Sequence, residues 1–600
     1  MLLSKRKSQQ DLTVKGESIE RIYDNYQGKR FIVNRRYQRK LVWSLDEKRQ
    51  FVDSIINGYP IPIVLLAEHK TTTQNDFEII DGMQRLNAIM GFLENEYSVN
   101  NCFFDLNTMA LTKEKLDSGN LKQKEPMLDR QSCIKIASYT VPLSIYEYSA
   151  NGVVDEVFRR INAGGKKLSR QELRMAGSTG HFAKAVRIIS SSIRGDVSSD
   201  DVLLLNEMKK ISITNRELEY GINIENLFWV YQGILTKEQI RESRDEEIIA
   251  DILAYILFDE KPPSRSEYLD DYFGFRDGEA SRKRLTDIDL AVQKHTIEII
   301  TADFIRVMDD LKSILNKSGQ TLGELLFGSQ TMRAPRYFQI VFLAFHKLII
   351  IENKEIYDAD ELIKLIQGGK QNIFIPEGGS WSAKEREKAV NATAGMFSPA
   401  FKPTKSYDPA QTRWITQFEN ILRQSYIEQA AYDFKQGFLR LDGLNQFDQN
   451  SFEKILKTIV GISNLRKGIK GYVIVGVAEK ESDVKQIKNL YGVSPICFDN
   501  FFITGIEHEC KAIGKNMDQY LQMIIDAIKH SPMSESLRNY VVRNLKLIRY
   551  HDKSLFILEC QSQPYPSNYD GVFYERHGNS LEKVEAKRYE ELFRRFEDGY

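Results

Sequence analysis

The sequence predicts a multidomain protein, α/β at both ends and all-helical in the middle. Three observations carry that expectation. Six hundred residues exceed what a single hydrophobic core supports. Short β-branched and aromatic runs alternate with amphipathic helical patterns over 18–200 and again over 412–600. Between them, 201–366 carries long helical periodicities such as DEEIIADILAYIL and HTIEIITADFIRVMDDLKSIL.

In the first α/β stretch, KRQFVDSIING (48–58) reads as an amphipathic helix closed by Gly58. YPIPIVLLAE (59–68) reads as a Pro-flanked strand, FEIID (77–81) as a second and ASYTVPLSIYEYS (137–149) as a third. DEVFRRIN (155–162) is expected to be helical, followed by the loop AGGKKLS and a helix at RQELRMA. The helical middle is expected to carry no chemistry of its own. GGKQ, PEGGS, SPAFKP and KSYDP fall within 367–411 and mark a linker. The last stretch, 412–600, then reads helix (RWITQFENILRQSY), strand (AYDFKQGF), helix (SFEKILKTIVGISNL) and strand (YVIVGVAE). A helix at NMDQYLQMIIDAIKHS and strands at SLFILECQS and GVFYERHG follow.

The composition, 42% hydrophobic and 28% charged, is that of a globular protein. Lys plus Arg equals Asp plus Glu at 83 each, so contact with nucleic acid must come from local patches. Five cysteines (102, 133, 497, 510, 560) without a CxxC pair argue against a disulfide scaffold and a structural zinc site, and suit a reducing cytosol. MLLSKRKSQQD turns polar after three residues, unlike a signal peptide. YFQIVFLAFHKLIII (337–351) is broken by His346 and Lys347 and reads as a buried helix, not a membrane span. The expectation is a soluble, cytoplasmic protein without a membrane partner. The sequence leaves open whether it forms a homo-oligomer.

The first candidate site is FEIIDGMQRLNAIMGFL (77–93), an apolar strand that turns at Asp81-Gly82 into a helix. Such a turn presents free backbone N–H groups, and Arg85 in the first helical turn adds positive charge, which together favour phosphate. RRYQRKLVW and FRRINAGGKKLSRQELR look as if they converge on it, the latter with six basic residues and one acid over 159–174. The Gly-Gly pair between Asn162 and Lys166 lets backbone approach an anion closely. Asp81 as a helix cap, Trp43 as a pocket wall and a solvated basic face are the structural alternatives.

YQRKLVW, SIINGYPIP, DGMQR and RINAGGKKLSRQEL, in that order over about 20–180, resemble the ParB-like N-terminal domain of GmrSD-type restriction proteins. The resemblance implies a ParB/sulfiredoxin-like fold that binds a nucleoside triphosphate with Mg2+. It places the phosphate site on Asp81, Gly82, Gln84 and Arg85, completed by Arg39, Asn162, Gly164, Gly165 and Lys166. Met83 stands where that family often has Gln, a departure that bears on hydrolysis. No P-loop and no Rossmann glycine motif is present.

The second candidate site lies in EQAAYDFKQGF (428–438). Asp433 and Lys435, two apart on a strand, share a face, and Glu428 reaches them only if helix turns into strand between 428 and 433. A D-x-K pair suits metal-dependent phosphodiester hydrolysis, the carboxylate holding the cation and the lysine stabilising oxygen charge. Glu479, ending YVIVGVAE, supplies a further acid. Arg576 and His577 are candidates for nucleic-acid phosphate contact. His508 beside Cys510 is too isolated for a metal site.

Glu428 with AspPheLys, IVGISN ending at Asn464, GYVIVGVAE and FYERHGNSLEKV, over about 425–590, resemble an AlbA-type Schlafen domain. Some members are endoribonucleases with three acidic residues, which map onto Glu428, Asp433 and Glu479 as Mg2+ or Mn2+ ligands. Here Asp433 replaces Glu and Glu479 replaces Asp. The HNH-like nuclease that often ends GmrSD-type proteins is not seen. The two resemblances together imply an anti-phage defence protein in which a nucleotide-binding or nucleotide-hydrolysing sensor controls a nuclease, with RNA favoured over DNA. A non-catalytic, nucleotide-switched nucleic-acid binder is the alternative, and an NTPase confined to the N-terminal domain is a third reading.

Overall fold

The computed structural model describes residues 12–35, 40–70, 75–147, 169–175, 178–196, 202–209, 212–214, 221–329, 335–373, 375, 381–404, 415–425, 429–498, 500–550 and 552–596. The chain divides into two compact units, Met1–Thr404 and Lys405–Tyr600.

The first unit opens on a six-stranded mixed sheet in the order Leu12–Ser18, Thr140–Glu147, Val64–Lys70, Asn75–Asp81, Phe31–Asn34, Val202–Leu204. Val64–Lys70 runs parallel to Thr140–Glu147 and antiparallel to Asn75–Asp81. The Pro-flanked strand therefore begins at Val64, because Pro60 and Pro62 cannot donate ladder hydrogen bonds and hold 59–63 outside the sheet. The helix before it starts at Leu45, three residues ahead of the expected start. There the Ser44 side chain accepts from the Glu47 amide and the Glu47 carboxylate accepts from the Ser44 amide. The expected strand at 137–149 is described over Thr140–Glu147, since Ala137 and Ser138 end the helix Arg130–Ser138.

Beyond the sheet, one continuous apolar core unites the helix His181–Arg194, from the first α/β stretch, with helices of the middle region, among them Arg244–Leu257, Ile297–Ser318 and Pro335–His346. The expected helix at 295–315 starts only at Ile297. His295 ends the preceding helix, and Thr296 separates the two with φ of 61°. No helix among the described residues is long and apolar enough to cross a membrane, and all five cysteines are free thiols.

The second unit is built on a four-stranded sheet in the order Tyr432–Lys435, Lys470–Val475, Lys553–Gln561, Lys546–Tyr550, whose first pair is parallel. Alternation sends Val473, Val475, Phe556 and Leu558 to one face, packed against the helices Gln449–Ser463, Met517–Lys529 and Glu535–Asn544. Tyr432, Phe434, Ile474 and Ile557 face the other way, toward the helix Ile415–Gln424 and the strand Phe501–Ile503. The strand expected at YVIVGVAE is interrupted at Gly476 and resumes as Val477–Ala478 in a separate small sheet.

Candidate functional site

In the first unit the strand Asn75–Asp81 hands over to the helix Met83–Leu93 through Gly82, which has φ of 105°. A β-carbon there would lie 2.9 Å from Val64 Cγ2, so both the backbone conformation and the close approach require glycine. Every residue of Met83–Leu93 is buried, Met83 among them. The first helical turn is therefore packed into the fold. Its polar side chains are spent nearby. Gln84 Nε2 donates to the Lys40 carbonyl at 3.0 Å, and its Oε1 accepts from the Val42 amide at 3.1 Å and the Trp43 amide at 3.2 Å. Arg85 Nη1 donates to the Ile63 carbonyl at 3.0 Å, while Nη2 pairs with the Asp81 carboxylate. Asp81 is thus an ion-pair partner, and Gly82 takes the N-cap position.

Trp43 packs edge-on to Phe51 at 5.4 Å. With Ser44, it lines a groove of about 710 Å³ together with Ser169, Arg170, Glu172 and Arg244, and no residue of the Asp81–Arg85 turn lines it. Arg39, Asn162, Gly164, Gly165, Lys166 and Glu428 lie outside the described residues, as does the helix expected at 155–162.

In the second unit Asp433 and Lys435 share the face of the sheet that meets the helix Gln449–Ser463, and Asp433 Oδ2 lies 2.6 Å from Lys435 Nζ. Arg576 enters from the strand Val572–His577, and its Nη2 stands 3.6 Å from Asp433 Oδ1. It reaches this position by passing Gly461, where a β-carbon would lie 3.2 Å from Arg576 Cγ. The Arg576 side chain is 1% exposed, and its Nε and Nη1 donate no hydrogen bond to any group among the described residues. Burial pulls its pKa down, against the attraction of Asp433, Cys560 and Glu479. Glu479 follows Ala478 on the solvent side of the constellation. Its carboxyl is raised above the ordinary range by partial burial of the group and by Asp433, against the pull of Lys435, Arg576 and Lys480.

The pleat separates Arg576 from His577. His577 lies on the opposite face, half exposed, with Nε2 3.2 Å from Glu575 Oε1. Among the described residues no group of three acids, histidines or cysteines is placed to hold a metal ion.

Two supporting residues were not legible as such. Asn464, fully buried at the end of the helix Gln449–Ser463, spends its amide on the backbone of Ser567 and Tyr574. That ties the helix to the strand carrying Arg576. Glu509 accepts from the amides of Phe438 (2.9 Å) and Leu439 (2.7 Å) and from the Tyr520 hydroxyl (2.7 Å). It thereby fixes the chain as it leaves Lys435. The only sequence cue was an acid between His508 and Cys510.

Residues 19–177, within the first unit, match the family model described as the GmrSD restriction endonuclease, N-terminal domain. No curated protein matches the chain.

Proposed function

We propose that the chain is a restriction-type defence protein. Its GmrSD-like N-terminal region reads, or reads and hydrolyses, a nucleoside triphosphate, and its C-terminal unit cuts nucleic acid, RNA in preference to DNA. The observation that carries the nuclease reading is the meeting of Asp433, Lys435, Arg576 and Glu479 from three separate segments, with two cations and two acids within electrostatic reach of one another. Arg85, Asp81 and Gly82 would form the phosphate side of the sensor, joined by Arg39 and Asn162–Lys166, while Gln84 acts through the Lys40–Trp43 backbone.

Asp433 and Glu479, with Glu428, would hold a Mg2+ or Mn2+ ion, which supplies charge neutralisation at the phosphoryl group when bound. Lys435, displaced from Asp433, would stabilise a phosphoryl oxygen. Arg576 would hold Asp433 from behind. Asp433 stands between two cations, Lys435 and Arg576, and this favours a second reading in which the unit binds nucleic acid without cutting it.

Labelled tRNA, rRNA and DNA incubated with the protein, Mg2+ or Mn2+ and each nucleoside triphosphate decide between them. Cleavage that falls by about 100-fold or more in Asp433→Asn and Lys435→Ala is expected, the scale of removing one group that stabilises transition-state charge. Intact substrates under every condition would leave the binding reading, and cleavage indifferent to both substitutions would place the chemistry elsewhere.

A further inference from the structure

A buried cluster of six charges joins the Asp81–Arg85 turn to the helical region of the first unit. Lys40, 8% exposed, places Nζ 3.9 Å from Asp245 Oδ1 and 3.9 Å from Glu246 Oε1, the two acids that open the helix Arg244–Leu257. Arg194, at the end of the helix His181–Arg194, donates through Nη1 to Asp245 (2.7 Å) and Glu246 (3.0 Å), and through Nε to Asp196 (3.2 Å). Arg35 donates to the Asp196 carbonyl at 2.9 Å and lies 3.6 Å from its carboxylate. Three cations thus face three anions. The Asp196 carboxyl remains below its ordinary range, because Arg194, Arg35 and Lys40 outweigh the burial that would raise it.

The contacts differ in quality. Arg194 is hydrogen-bonded to all three acids, whereas the Lys40 ammonium is beyond hydrogen-bond reach of its two and donates to no group among the described residues. A buried charge so placed is costly, and a displacement of about 1 Å separates it from a direct pair. Gln84 holds the Lys40 carbonyl and the Val42 and Trp43 amides, so the first turn of Met83–Leu93 is tied directly to the Lys40 backbone. The receiving end is also poised, since Ser243, which precedes Arg244, is buried in a left-handed conformation with φ of 58°.

We propose that this cluster is the relay between sensor and helical region: a ligand at the Asp81–Arg85 turn shifts the Lys40–Trp43 backbone through Gln84, and Lys40 resets its grip on Asp245 and Glu246. The start of the helix Arg244–Leu257 moves as the readout. The inference rests on the nucleotide reading of that turn and supplies its regulation. A cluster that only pins two layers together is the competing account, and it makes no nucleotide-dependent response.

Hydrogen exchange of the full chain with Mg2+ and ATP, GTP, CTP or UTP tests the relay, with binding of each nucleotide measured in parallel. A bound nucleotide should change exchange of the 246–250 amides by about fivefold or more, the lower end of ordinary allosteric coupling. Lys40→Met should bind the same nucleotide yet lose that response, and Lys40→Arg should restore it. A response that survives in Lys40→Met overturns the relay. So does a nucleotide that binds without moving these amides. A second arm needs no nucleotide: Gln84→Leu and Asp245→Asn, singly and together, should act non-additively on the same amides. Additive effects there refute the link itself, whereas absence of nucleotide binding with an intact cycle refutes only the nucleotide reading.

Discussion

Gly82→Ala strikes the point where the strand Asn75–Asp81 turns into the helix Met83–Leu93. Two costs are separable. A side chain at φ of 105° is strained by about 1–3 kcal/mol. The new methyl would also sit 2.9 and 3.0 Å from the two γ-carbons of Val64, which is fully buried and cannot retreat. Overpacking of that kind costs about 1–3 kcal/mol. The sum, about 2–6 kcal/mol, corresponds to a roughly 30-fold to roughly 20,000-fold acceleration of amide exchange in the helix Met83–Leu93 when reclosing is faster than chemical exchange. In a Val64→Ala background the contact is gone, and the Gly82→Ala penalty should fall to the backbone share of about 1–3 kcal/mol. Exchange unchanged by Gly82→Ala would refute the argument outright. A penalty of equal size in both backgrounds would show that the Val64 contact plays no part.

Other consequences are as direct. Glu509→Ala leaves the amides of Phe438 and Leu439 and the Tyr520 hydroxyl without their acceptor, so a loss of about 2–4 kcal/mol is expected, read as faster exchange at Phe438 and Leu439. Exchange confined to the helix Glu507–Ala512 would contradict it. Buried His508 has its pKa pushed down to about 4 by burial, with Lys553 adding to the effect. Because the folded chain refuses a proton that the unfolded chain takes up below about 6.5, stability should drop as pH falls from 6.5 toward 4, by no more than about 3 kcal/mol. His508→Phe should flatten that slope in a urea titration across pH. Glu559 behaves oppositely to a simple buried acid. Burial would raise its pKa, but Lys470, Lys546 and Tyr540 hold it below the ordinary range. Its contribution is therefore present above about 4.5 and lost as pH falls through the depressed value, so wild type and Glu559→Gln should converge in strong acid.

The sequence by itself determined the alternation of elements, because burial on one face of a strand or helix writes a period of two or about 3.6 into the chain. It also placed Asp433 and Lys435 on one face, since residues two apart on a strand cannot do otherwise. It could not show that Gln84 closes on the backbone of Lys40, Val42 and Trp43, 41 to 44 residues away, or that Arg85 is spent on Asp81 and Ile63. Nor could it separate Arg576 from His577 in function. Adjacent letters look alike in sequence, but the pleat sends one beneath Asp433 and the other to Glu575. Asp245 and Glu246 open the helical pattern DEEIIADILAYIL, and only packing reveals them as the counter-charges of Arg194 and Lys40. Local patterns fix which residues are buried or exposed. Which charges meet depends on contacts between distant segments, and those exist only once the layers have packed.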